Sequence, residues 1–171
     1  MSAPITLDAR AEANLRQREG ADPDRSAWVS ASAGSGKTKL LVDRVLRLLL
    51  NDVPPDKILC LTYTRAAAAE MANRVADTLG KWASCSEADL GAEFAKLLDN
   101  PPSSAMRTRA RRLFARVLDV PGGMKIMTIH AFCQSLLRRF PLEAGVAPQF
   151  DLIEERDAAQ LLNEAMKAIL G

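Results

Sequence analysis

Cysteine, histidine and long apolar runs are scarce in this sequence, and each scarcity removes a class of protein. Cys60, Cys85 and Cys133 are its cysteines, and they show neither C-x-x-C nor zinc-ligand spacing. An odd, unpatterned set argues against a disulfide framework and for a reducing compartment. His130 is the single histidine, so no second imidazole stands at ligand spacing, and no general-base pair is evident for Cys133, one helical turn on. No window approaches the ~18 uncharged residues that span a bilayer. The first residues carry charges where a secretory signal has an apolar segment. A soluble, cytoplasmic protein with no membrane attachment is expected. Lys and Arg exceed Asp and Glu by 23 to 21, a net charge of +2 that by itself argues for no nucleic-acid partner.

What is present suffices for a core: 171 residues with 48% hydrophobic composition suit one domain. Residues 6–19 are polar with a helical pattern, closing at Gly20 and the turn-forming Ala21-Asp22-Pro23-Asp24. Ala27-Trp28-Val29-Ser30-Ala31 reads as a buried strand, and 39–50 as a helix with apolar positions 41, 42, 45, 46, 48 and 49. After the breaker at 51–55, residues 58–64 are nearly continuous in apolar character, as a parallel strand covered on both faces should be. Residues 65–83 predict a helix with Ala68, Met71, Ala72, Val75 and Leu79 on one stripe and Glu70 spaced to pair with Arg74. Residues 86–98 predict a short helix.

Residues 105–118 predict an amphipathic helix with Met106, Ala110, Leu113, Phe114, Val117 and Leu118 on its apolar face. Arg107, Arg109, Arg111, Arg112 and Arg116 occupy the remainder, read as a solvated face in preference to a DNA-facing one. A third short strand at 125–129, a helix at 130–140 stopped by Pro141 and a final helix at about 155–170 complete the chain. Cys60 in a strand pattern and Cys133 on a helical face read as small core residues. The β/α alternation predicts a parallel sheet with helices on its faces, an α/β nucleotide-binding core, although three strands are fewer than such cores usually carry.

The most informative stretch is 31–38, ASAGSGKT, placed between an apolar run and a helix. A strand, a glycine-rich turn and a helix start form an anion site, because unpaired backbone N–H groups point at the ligand and the helix dipole adds positive character. In a P-loop the Lys reaches the β- and γ-phosphates and the Ser/Thr hydroxyl holds Mg²⁺. Those roles fall to Lys37 and Thr38. Gly34 and Gly36 let the backbone approach oxygen, and Ala31, Ser32, Ala33 and Ser35 complete the loop, with Ala31 standing where the motif usually has its first Gly. A nucleoside-triphosphate site is expected. Two other functions fit a chain of this size: a small metabolite kinase using the 107–116 arginines as a lid, or a nucleotide-binding module without chemistry.

Three further segments sharpen this expectation: Gln17-Arg18-Glu19, TYTRAAAAEMANRV at 62–75 and TIHAFCQSLLRRFP at 128–141. Together with the P-loop, in this order, they resemble the UvrD/Rep-type superfamily 1 DNA helicases, and within them the AddA branch of helicase–nuclease subunits. The resemblance runs from Gln17 to the last helix. It implies a P-loop (RecA-like) parallel sheet flanked by helices, with 1–148 as part of the first motor domain and 149–171 as the start of a helical insertion. ATP and Mg²⁺ are the implied cofactors. Gln17 takes the place of the family's adenine-reading glutamine. Thr62, Tyr63, Thr64 and Arg65 match its single-strand-binding motif, with Tyr for the usual Phe and Arg for the usual Asn. Thr128 and His130 match a second DNA-contact motif, and Lys39 stands where many relatives carry Arg.

The resemblance further implies single- and double-stranded DNA as partners, an AddB-like partner subunit, and 3′→5′ translocation with duplex unwinding in double-strand-break repair. One requirement of such a motor is not met by the sequence. Four apolar residues followed by Asp-Glu, the carboxylates for Mg²⁺ and the attacking water, occur nowhere. The nearest stretch, Phe150-Asp151-Leu152-Ile153-Glu154-Glu155, has too short an apolar lead. The chain is therefore expected to be an N-terminal piece of a longer protein, binding nucleotide without hydrolysing it.

Overall fold

The computed structural model describes residues 7–30, 32, 34, 36–98, 100–150, 153 and 155–170. Among them the elements run α1 (Leu7–Gly20), α2 (Lys37–Leu50), β1 (Leu59–Thr62), α3 (Arg65–Ser84), α4 (Glu87–Leu97), α5 (Ser104–Leu118), β2 (Lys125–Thr128), α6 (Ile129–Arg139) and α7 (Glu155–Leu170). The chain divides into two units, Met1–Ile129 and His130–Gly171. No helix among the described residues is long and apolar enough to cross a membrane.

In the first unit the helices bury the faces that their periodicity marks. Val42, Val45, Leu46 and Leu49 of α2 meet Met71, Val75 and Leu79 of α3 in one core, closed by Leu90, Phe94, Ala110 and Leu113 from α4 and α5. Trp82 packs edge-on against Phe94, with ring centroids 5.3 Å apart. Glu70 and Arg74 pair as their spacing predicts, at 2.6 Å. β1 and β2 are parallel, in a register that sets Leu59 beside Lys125 and Thr62 beside Thr128. Parallel strands need a long crossover; here α3, α4 and α5 supply it, and α3 packs on both strands.

Three expectations are corrected. Residues 27–30 are not a strand: Trp28 is 96% exposed, Val29 is exposed as well, and Ala31 lies outside the described residues. A buried parallel strand needs ladder partners and apolar cover, and β1 and β2 pair as a two-stranded sheet without it. The architecture is accordingly richer in helix than the alternation of segments suggests. Cys133 is exposed, not core. It shares a helical stripe of α6 with Ile129 and Leu136, and Phe140 follows just past the helix end, all exposed, so the apolar periodicity is real but uncovered among the described residues.

The α5 arginines are the third correction, because four of the five are half-buried and engaged by carbonyls or carboxylates of neighbouring segments. Arg111 donates to Trp82 O and Cys85 O at the end of α3 and to Glu87, while Arg109 donates to Leu50 O at the end of α2. Arg107 pairs with Glu87, and Arg116 with Asp52, which itself has φ +68° in the turn after α2. Helix ends leave backbone carbonyls without intrahelical partners, and a cation there also meets the favourable end of the helix dipole. The same device recurs outside α5: buried Arg47 donates to Leu97 O at 2.9 Å, closing α4. These contacts bind α5 to α2 and α3, so it is a strut, not a kinase lid.

Candidate functional site

The site begins at the start of α2. Gly36 is its N-cap, at φ +91° and ψ 16°, a left-handed conformation that favours glycine. The first turn holds no acidic residue, and no side chain caps it among the described residues. N–H groups of a helix start thus keep the positive character that attracts an anion. Lys37, the first helical residue, is exposed, and its Nζ donates to Ser32 O at 2.7 Å. Thr38 is half-buried one residue on.

Packing of α1 on α2 brings a second element to this point. Gln17 lies in the last turn of α1, and its amide nitrogen would stand 2.9 Å from a Cβ added to Gly36. Position 36 therefore needs glycine twice, for its backbone angle and for the space that Gln17 occupies. A cleft of about 470 Å³ opens here, lined by Gln17, Gly36, Lys37, Arg16, Arg25 and Trp28 among others. Its charged lining is Glu19, Arg16, Arg25 and Lys37, of which Arg16 pairs with Glu12 at 2.6 Å and Arg25 with Asp22 at 3.5 Å.

The positions that the sequence nominated divide accordingly. Gln17, Gly36 and Lys37 share the cleft. Ser32 and Gly34 are exposed loop positions and Thr38 lies at the first turn of α2, all outside its lining, while Ala31, Ala33 and Ser35 fall outside the described residues. Lys39 turns to Asp43, 2.5 Å away, and stands away from the cleft. Arg25 and Trp28 are lining residues that sequence patterning does not nominate. The pattern assigns Trp28 to a strand; a tryptophan in so short an apolar run, with serine on either side of it, is the available signal against that.

Of the second group of nominated residues, Thr62, Tyr63, Thr64, Arg65 and Thr128 lie at the carboxyl end of the two strands. Register puts Thr62 beside Thr128. Thr62 Oγ1 donates to Thr64 O at 2.9 Å, fixing the bend between β1 and α3. Thr64 is the N-cap of α3, its hydroxyl accepting from Ala67 N at 3.1 Å, so that oxygen serves the helix. Tyr63, between them, is 81% exposed, and Arg65 is exposed at the first position of α3. No acidic residue occupies that first turn. His130 lies in the second unit, exposed in the first turn of α6. Asp151, Leu152 and Glu154 of the weak acidic candidate fall outside the described residues.

A helix-rich α/β chain with a parallel strand pair and a glycine-capped, lysine-bearing helix start is of the class that can build an anion site at a helix N-terminus. Comparison with known proteins narrows that class. Residues 13–170 match the UvrD/REP helicase N-terminal domain, and the chain belongs to the UvrD/Rep helicase family. It is 33% identical over 147 residues to the A-type subunit of the ATP-dependent helicase/nuclease of Desulforudis audaxviator, covering 84% of this chain and 10% of that protein. The corresponding protein of Lactobacillus gasseri is 34% identical over 143 residues and that of Bacillus cereus 32% over 149, with the same 10% of each relative covered. The chain thus spans about a tenth of the length of the curated relatives it matches.

Proposed function

We propose that this chain is the ATP- and single-stranded-DNA-binding portion of an AddA-type, ATP-dependent 3′→5′ helicase–nuclease that acts in the cytoplasm on broken DNA. The observation that carries the reading is the meeting of Gln17, Gly36 and Lys37 in one cleft, in a chain of the UvrD/Rep family. The Gln17 amide can donate and accept at once, as the edge of adenine requires. Lys37 would hold the β- and γ-phosphates, and the Thr38 hydroxyl Mg²⁺. Bound ATP with Mg²⁺ supplies the free energy of phosphoryl transfer.

The strand ends supply the track. An exposed Tyr63 ring suits sequence-tolerant stacking on bases, which a translocating protein requires. Arg65, exposed at the first position of α3, suits phosphate, with Thr62 and Thr128 paired across the two strands. His130 is the remaining contact of this reading. In the intact protein the DNA grip alternates with closure and opening around nucleotide, and a nuclease domain and an AddB-like partner complete the assembly. The domain reading assigns 1–148 to the first motor domain and 149–171 to a helical insertion.

Lys37→Ala in the intact protein tests this reading. DNA-stimulated ATP hydrolysis is expected to vanish; undiminished turnover would refute the assignment. By itself the chain is expected to bind ATP without consuming it, since its sequence has no Asp-Glu pair after an apolar strand.

A further inference from the structure

A contact outside the cleft lining joins the end of α1 and the turn after it to α2. Arg44 stands on α2, about two turns beyond Lys37. Its Nη1 donates to Asp22 O at 2.5 Å and to Gly20 O at 3.3 Å, and its Nη2 donates to Arg25 O at 2.6 Å. Gly20 ends α1, so its carbonyl has no helical partner, and Asp22 and Arg25 belong to the turn that runs into the cleft wall at 26–30. The same junction is packed flush: a Cβ on Gly20 would stand 2.8 Å from Leu40 Cδ1, and Ala21 is 2% exposed.

One guanidinium thereby ties the end of α1 and the following turn to the helix that carries Lys37. Arg44 does not line the cleft. We infer that Arg44 is a positioning residue, which sets the separation between Gln17 and Lys37 and so makes base recognition and phosphate binding act on one nucleotide. The inference rests on the nucleotide reading above. Arginine suits the task because its planar fork holds several N–H donors in fixed directions, whereas a lysine ammonium is a compact charge that cannot span three separate carbonyls. An apolar residue at 44 would leave Asp22 O and Arg25 O without this donor, while Gly20 and Ala21 packing and the backbone hydrogen bonds from Ala21 N and Asp22 N to α1 remain.

The test compares two ligands on the full chain: ATP, which needs both sides of the cleft, and inorganic tripolyphosphate, which needs only one. Titrations are made on the parent sequence, Arg44→Ala and Arg44→Lys, with circular dichroism reporting the fold. Arg44→Ala is expected to lose about tenfold in ATP affinity while holding tripolyphosphate within about twofold, with Arg44→Lys between. Preference for ATP over GTP should shrink in parallel. A merely structural arginine would weaken both ligands together, and that result, or an unchanged ratio of the two affinities, overturns the inference. If Arg44→Ala does not fold, the ratio in Arg44→Lys decides by the same criterion. A parent chain that binds neither ligand refutes the nucleotide site itself, whereas a parent that binds both with an unaltered ratio in the variants refutes only the role of Arg44.

Discussion

Two glycines of one loop allow backbone strain to be separated from ligand recognition. Gly34 and Gly36 have φ of +79° and +91°, where a side chain costs roughly 1–2 kcal/mol. Alanine at either position should therefore lower the unfolding midpoint by about 2–8 °C, at roughly 2–4 °C per kcal/mol in a chain of this size. Their surroundings differ. Among the described residues an added Cβ at 34 meets nothing within 4 Å, but at 36 it meets Gln17 Nε2 at 2.9 Å and Gln17 Cδ at 3.8 Å. The clash falls on the far end of a flexible side chain, so Gly36→Ala should destabilise no more than Gly34→Ala does. It must, however, turn the Gln17 amide away from its present place. If that amide makes two hydrogen bonds to the base, each contributing about 0.5–1.5 kcal/mol, ATP affinity falls roughly 5- to 150-fold for Gly36→Ala beyond any loss in Gly34→Ala. Thermal denaturation followed by circular dichroism and a fluorescence titration with ATP read the two quantities separately. In a Gln17→Ala background the extra loss should disappear. Equal ATP affinities in the two glycine variants, or a Gly36→Ala midpoint far below that of Gly34→Ala, would refute the geometric reasoning.

Tyr63→Ala should weaken binding of a single-stranded oligonucleotide by about 1–3 kcal/mol with no change in melting, because the ring is exposed; Tyr63→Phe should bind as the parent does, which fluorescence anisotropy checks. Acid should destabilise the chain through the struts of α5. A hydrogen bond from Arg111 holds the Glu87 carboxyl below its ordinary value of 4.5, and one from Arg116 holds Asp52 below 3.8. Since the folded values are the lower ones, the stabilisation is complete above the ordinary values and is lost as pH falls through the depressed ones. Urea midpoints measured from pH 6 down to pH 3 should fall more gently in Arg111→Ala than in the parent, and identical slopes would count against the Glu87 contact.

Much of this molecule was legible in its residues. Helical periodicity marked Met71, Val75 and Leu79 as one buried stripe and placed Glu70 against Arg74, because these are properties of a single helix face. The loop ASAGSGKT marked a glycine-rich turn ahead of a helix, and Gly36 at φ +91° does precede α2, because glycine adopts that angle without steric cost. Segment by segment, the motif order was enough to indicate the family that the comparison then showed.

Long-range packing decided the rest. That Gln17 reaches Gly36 depends on how α1 lies across α2, which no local pattern encodes. The α5 arginines read as a solvated face, yet Arg109 and Arg111 serve carbonyls at the ends of α2 and α3 that are distant in sequence. A run such as 27–30 has strand propensity but no ladder of its own, so its state rests on neighbours, and Trp28 stands exposed. Periodicity reports what a segment can bury, whereas burial itself depends on the partner surface that tertiary structure brings to it.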